Sequence, residues 1–163
     1  MVNSKMKTFL LYVPMMLLSI DVFSAQLSSA DEVAAFKTAG YRSDGKYWRS
    51  HCHELSPSSS GEITIVRDLN GDSLPEVLIT EGSTYCYGNT GYHYSLVSKL
   101  NNSSWKLVTS GVGIPTFIAT EDSHGWPDIE VAGTGFCFPV MRWNGRNYVF
   151  NRYQYDNVLC SPQ

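Results

Sequence analysis

Four oxygen-bearing side chains alternate along one short stretch. Asp68, Asn70, Asp72 and Glu76 stand at positions one, three, five and nine, with the Leu74 carbonyl available at position seven. Hard Ca²⁺ takes about six to eight oxygens at about 2.3–2.6 Å, and alternating groups on a turned loop can converge on one ion. Magnesium suits the stretch less, because it keeps several waters and demands stricter octahedral geometry. Gly71 lets the chain turn sharply. The competing reading is an acidic turn whose side chains bond only to the backbone. The expected cofactor is Ca²⁺, held by Asp68, Asn70, Asp72, Leu74 and Glu76.

A second cluster, His51–Cys52–His53–Glu54, suggests a thiol–imidazole pair or a metal site. On a strand the two imidazoles would share one face and the thiol would point to the other. That geometry suits a core-facing disulfide beside two solvent-facing histidines. The chain has four cysteines, Cys52, Cys86, Cys137 and Cys160. An even count in an exported chain of this size reads as a disulfide framework with three possible connectivities. The expected pairing places one bridge in each half, Cys52 with Cys86 and Cys137 with Cys160. The rival, zinc, lacks Cys–x–x–Cys spacing.

Gly71–Asp72–Ser73–Leu74 resembles the nucleophile block of GDSL esterases. Such an enzyme needs a base His oriented by a carboxylate, together with oxyanion donors. Glu121–Asp122–Ser123–His124 is the nearest match to that family's Asp–x–x–His pair, while its Gly–x–Asn–Asp block is missing and the chain lacks the helices of that fold. No pair of carboxylates stands out as a glycosidase acid and base. The expectation is therefore a binding protein rather than an enzyme.

The elements that must position these residues are mostly strands. One helix is legible: Ser29 and Glu32 have capping-box spacing, Val33 and Phe36 supply an apolar face, and Gly40 marks the end. From Tyr41 onward short β-prone runs alternate with turn residues. The predicted strands are Tyr47–Leu55, Glu62–Arg67, Glu76–Thr80, Tyr92–Lys99, Trp105–Thr109, Thr116–Thr120, Asp128–Val131, Val140–Trp143 and Tyr148–Tyr153. Asn144–Gly145 is the strongest hairpin signal, since both residues tolerate positive φ. No strand–helix rhythm supports a parallel α/β sheet.

An internal repeat organises the rest. Ile65 to Ile79 reads strand, acidic Gly-containing loop, Pro–Glu and strand, then reaches Tyr85–Cys86–Tyr87. Phe117 to Val131 repeats that order with Pro–Asp, then reaches Phe136–Cys137–Phe138. The two prolines, Pro75 and Pro127, lie 52 positions apart and the two cysteines 51. The second loop keeps Glu121, Asp122 and Asp128 without the spaced set, so it reads as a metal-free turn.

Asp68–Leu69–Asn70–Gly71–Asp72 followed by Pro75–Glu76–Val77 resembles the calcium loops of FG-GAP and VCBS-type repeats, found in integrin-α-like β-propellers. The resemblance covers about fifteen residues strongly and the second copy weakly. It implies that Asp68, Asn70, Asp72, the Leu74 carbonyl and Glu76 bind Ca²⁺. Ser73 stands where that family usually has Gly, and Glu76 where it usually has Asp. Two repeats are too few for a closed propeller of about four to eight blades. The expected fold is mainly β: a small antiparallel two-sheet or propeller-fragment domain built from two repeats (approximately 62–110 and 115–155), with one short N-terminal helix.

The N-terminus reads as a secretory signal peptide over residues 1–24. Lys5 and Lys7 precede an apolar run from Phe9 to Ile20, too short to span a bilayer, and small Ser24 and Ala25 follow. Residues 25–163 form the single β-rich domain. Losing the leader removes two Lys and one Asp, so the net charge of −3 becomes −4. Scattered cations on an acidic chain argue against nucleic acid. No second long apolar run argues for a membrane span after cleavage.

Tyrosines flank Cys86 at Tyr85 and Tyr87 and recur at Tyr92 and Tyr94, and with His124 and Trp126 they are the candidate partner-binding residues. On a strand, Tyr85 and Tyr87 would both leave the sheet opposite the sulfur. The functional expectation is a periplasmic or secreted non-catalytic protein that inhibits or neutralises another protein, as immunity proteins do. The alternatives are a calcium-stabilised adhesion or carbohydrate-binding module, and a small GDSL-like hydrolase.

Overall fold

The computed structural model describes residues 27–120 and 124–162. The expected signal peptide, together with Glu121 and Asp122, lies outside the described residues. Helix α1 (Ser29–Thr38) starts one residue earlier than its spacing suggests. Ser28, not Ser29, is the N-cap, and its Oγ accepts from the Asp31 amide at 3.1 Å. This register lets the Asp31 carboxylate accept from Lys99 Nζ on the sheet below, at 2.8 Å. The helix ends as predicted at Gly40, whose φ of +90° needs glycine. There the Gly40 and Tyr41 amides donate to the Lys37 and Phe36 carbonyls, and the Phe36 and Tyr41 rings meet edge-on at 5.7 Å.

The described residues are mainly β, with eleven strands in two antiparallel sheets. The first contains β1 (Arg42–Ser43), β2 (Trp48–Arg49), β3 (Gly61–Arg67), β4 (Glu76–Gly82), β5 (Tyr92–Lys99) and β6 (Trp105–Val112) in sequence order. The second contains β7 (Ile114–Ile118), β8 (Asp128–Ala132), β9 (Phe138–Trp143), β10 (Tyr148–Tyr155) and the short β11 (Val158–Leu159), also in sequence order. Most predicted strands are found, several a few residues longer than predicted. The ordered repeat falls on two equivalent meanders, β3–β6 and β7–β10. In the first, Arg67 pairs with Glu76 and Glu76 with Ser98. In the second, Ile118 pairs with Asp128, and Ile129 opposite Met141 sets Asp128 level with Arg142.

The sheets stack face to face. Leu78, Tyr94 and Leu96 of the first bury against Ile129 of the second, with Phe117, Val131 and Met141 around them. On its other face the first sheet carries Val77, Ile79, Val97 and Trp105, covered by Ala35 and Phe36 of α1 and by Tyr41. Strands β4 and β5 are thus buried on both faces, which is why Val77–Leu78–Ile79 is an unbroken apolar run.

Two expectations fail where cysteines lie. The predicted strand Tyr47–Leu55 is a strand only at Trp48–Arg49. Ser50 then caps a 3₁₀ turn over His51–Glu54, accepting from the Cys52 amide at 2.9 Å. At about three residues per turn His51 and His53 point apart, and His51 is exposed while His53 is half-buried. Likewise Tyr85–Cys86–Tyr87 lies in a short helix α2 (Thr84–Tyr87), capped by Ser83, and not on a strand. The rings consequently diverge, with Tyr85 73% exposed and Tyr87 8%. The Cys52–Cys86 bridge ties the two segments together, and Cys52 is fully buried.

Candidate functional site

The loop between β3 and β4 is folded by its own side chains. Asp68 Oδ1 accepts from the Gly71 amide at 2.7 Å and from Asn70 at 3.2 Å, while Oδ2 accepts from Ser73 at 2.9 Å. Asn70 Oδ1 accepts from Asp72 N at 2.9 Å and Asp72 Oδ1 from Leu74 N at 2.8 Å. These nested turns hold Gly71 at φ +81° and Ser73 at φ +68°. The second value gives a physical reason why a glycine would be favoured at Ser73.

Glu76 closes the loop from beneath and is fully buried. Its carboxylate accepts from Leu69 N and Ser98 Oγ, each at 2.7 Å. The Asn70 amide nitrogen lies between carboxylates, donating to Asp72 Oδ2 at 3.2 Å and Glu76 Oε1 at 3.4 Å. Burial pushes the Glu76 carboxyl pKa up; its hydrogen bonds oppose that, and the nearby charges of Asp72 and Asp68 add to it.

The equivalent carboxylate of the second repeat is treated differently. Asp128 is as fully buried as Glu76 but receives two bonds from Arg142, both at 2.9 Å, and one from Arg152 at 2.7 Å. Burial opposes its ionisation, but the two guanidiniums outweigh it and hold its pKa below the ordinary value. Ser98 occupies the cross-strand place in the first repeat that Arg142 occupies in the second. One repeat therefore buries a compensated carboxylate and the other an uncompensated one.

The donor types and the unbalanced charge of the first loop fit a cation. The oxygens are nevertheless engaged by amides, and among the described residues no three His, Cys, Asp or Glu side chains converge as a metal-holding group. The second loop packs directly on the first. Gly125 has φ +85°, and a Cβ there would sit 2.7 Å from the Asn70 carbonyl oxygen. Neighbouring His124 is exposed at φ +52°. Among the described residues no hydrogen bond joins Ser73 to His124; the Ser73 amide is used by Asp68.

The candidate aromatic residues do not form one surface. Tyr94 is buried between the sheets and Tyr87 against His93 and Glu81, whereas Tyr85 and Tyr92 are exposed. Trp126 packs with Trp143 at 5.2 Å and Tyr148 at 6.2 Å, and Tyr148 donates to the Pro127 carbonyl at 2.8 Å.

Two groupings escaped sequence reasoning. In the first, buried Glu81 accepts from Ser59 Oγ and, at 2.8 Å, from Tyr87 OH. His93, its cross-strand partner, stacks on Tyr87 at 5.4 Å. Burial pushes the His93 imidazole pKa down, with Glu81 raising it and His51 lowering it further. The second is an apolar corner. Phe136 is 77% exposed and meets Tyr155 edge-on at 5.6 Å, with Phe138 5.9 Å from the same ring. Val158, opposite Tyr155 in the ladder, is 67% exposed. The Cys137–Cys160 bridge pins this corner at its base. The aromatic–Cys–aromatic triplet was the available signal, but it marks the repeat without saying which rings stay outside.

No family model, no curated protein and no solved structure matches the chain. Two disulfides, with no described helix long and apolar enough to cross a membrane, are compatible with an extracellular or periplasmic protein.

Proposed function

We propose that this chain is an exported, non-catalytic binding protein whose partner is another protein, of the inhibitor or immunity type. The observation that carries the reading is the Phe136–Phe138–Tyr155–Val158 corner. Contiguous exposed aromatic and aliphatic groups mark interaction surfaces, and aromatic anchors dominate binding energy at protein interfaces. A disulfide at the base keeps the rings positioned before contact, which lowers the ordering cost of association. The expected signal peptide and the paired cysteines support export to the periplasm or beyond.

Calcium belongs to this proposal as a stabiliser, in line with the FG-GAP and VCBS resemblance. Asp68, Asn70, Asp72, the Leu74 carbonyl and Glu76 would hold the ion, which would supply the positive charge that Arg142 and Arg152 give the other repeat. The Asn70 amide would have to turn its oxygen inward.

The test is affinity capture from periplasmic extract with the intact chain and with Phe136→Ser/Val158→Ser. A partner retained by the first and lost by the second, while both melt alike, is the expected result. Equal retention would refute the role of this corner. Hydrolysis of an ester substrate that disappears in Ser73→Ala would refute the non-catalytic reading.

A further inference from the structure

Strand β3 pairs with β4 along its whole length, but on its other side β2 meets it only at Gly61. The β1–β2 hairpin turns away, its tip locked by Asp44, which accepts from the Lys46 and Tyr47 amides at 2.9 and 2.7 Å. The outer edge from Ile63 to Arg67 therefore has no neighbouring strand among the described residues. A cavity lies on each side of this edge. One, of about 620 Å³, is walled by the consecutive residues Gly61 to Val66 and by Leu27, Glu32, Phe36 and Trp48. Consecutive residues form a wall only along a strand's edge, since one face would contribute every second residue. The other, of about 400 Å³, lies between the sheets against Leu78, Tyr92, Ile114 and Pro115. Thr64 and Ile65 line both.

We infer that this edge is a docking slot for a short extended segment of a partner protein, apolar at alternate positions and basic or polar between them. An added strand would pair its backbone with β3 and send successive side chains to opposite faces, one set into each cavity. A small molecule would fill one cavity and leave the edge unpaired. Glu32 lines the α1-side cavity and no lysine or arginine does, so it suits lysine or arginine. The inter-sheet cavity is lined mainly by apolar groups and suits valine or isoleucine. The bulge that skips Thr64 between Ile63 and Ile65 twists the edge and limits the slot to a few residues. This slot is separate from the Phe136 corner and stands or falls independently of it.

The probe is the peptide acetyl-Lys-Val-Thr-Ile-Lys-Val-Thr-amide, titrated into the intact oxidised protein and followed by calorimetry and amide hydrogen exchange. Two further peptides carry N-methyl groups on one or the other alternate set of residues. The expected result is binding with protection of the amides of Ile63–Arg67. Only one N-methylated peptide should lose affinity, by about fivefold or more, because only one set of amides faces β3. The exposed-site changes Glu32→Lys and Ile114→Lys should each weaken binding by about tenfold while the melting temperature holds, the first by repelling the lysines and the second by spoiling the apolar cavity. Phe136→Ser/Val158→Ser should leave peptide binding unchanged. Absence of binding, indifference to both N-methylated peptides, or protection at Phe136–Leu159 instead of β3 would each overturn the slot.

Discussion

Replacing Glu76 by Gln should stabilise the protein in chelator and destabilise it, relative to the parent, in calcium. Among the described residues no ion pair reaches the buried carboxylate, and its folded pKa lies above the ordinary 4.5. A raised acid pKa means that the unfolded chain releases the proton first. Stability is therefore full below about pH 4.5 and falls as pH rises towards the folded pKa, leaving a penalty at neutrality. Each pH unit between the two pKa values is worth about 1.4 kcal/mol. Gln can still accept from Leu69 N and bond to Ser98 Oγ, so removing the charge should raise the stability in chelator. Calcium at about 100 times its dissociation constant should add about 2.7 kcal/mol to the parent. The variant, lacking one ligand, should gain much less, so the two stability orders cross. Asp128→Asn is the internal control. It removes the buried charge that Arg142 and Arg152 share, their side chains being 35% and 24% exposed, and should lose about 1–3 kcal/mol with or without calcium, the buried-pair value reduced for that solvent contact. Urea denaturation at pH 7 in chelator and in millimolar Ca²⁺ gives all six values. If Glu76→Gln loses as much as Asp128→Asn in chelator, Glu76 is not uncompensated and the argument for a cation fails with it.

The loop backbone offers an independent pair of tests. Ser73→Gly should stabilise by about 0.5–1 kcal/mol by relieving a left-handed conformation, whereas Gly125→Ala should lose at least about 1–3 kcal/mol, because its Cβ would strike the Asn70 carbonyl; opposite signs in thermal melts are the check. The Cys52–Cys86 bridge spans 34 residues and Cys137–Cys160 spans 23, so loss by paired Ala substitution should destabilise by about 4 and about 3 kcal/mol respectively, and thiol titration of the unfolded, unreduced parent should find no free thiol. His93 has a folded pKa below its ordinary 6.5, so the unfolded chain takes up the proton first. Stability should drop as pH falls through about 6.5, and His93→Gln should flatten that slope in pH-dependent melts.

The loop was legible to the extent that its signals are local. The alternation of Asp68, Asn70 and Asp72 marks a turned, oxygen-rich loop, and the loop there has an amide on nearly every available oxygen. The same spacing could not distinguish a metal loop from a hydrogen-bonded one, because both use the same atoms. The strand reading failed at His51–Glu54 and Thr84–Tyr87. There β-prone Tyr, His and Cys are overridden by Ser50 and Ser83 caps and by a bridge joining residues far apart in sequence. Tyr94 and Tyr87 were candidates for a binding surface because a tyrosine in sequence carries no record of whether its ring faces a second sheet or solvent.

By itself the sequence determined the β character, the positions of most strands, the glycine-terminated helix and an even cysteine set that divides between two halves. Each depends on contacts within a few residues or on composition. Tertiary structure alone decided that Glu76 lies opposite Ser98 while Asp128 lies level with Arg142, that Phe136 stays outside while Tyr94 goes in, and that β3 keeps an open edge. These follow from strand register and sheet stacking, in which residues tens of positions apart become neighbours, and a single step of register would exchange every inward side chain for an outward one.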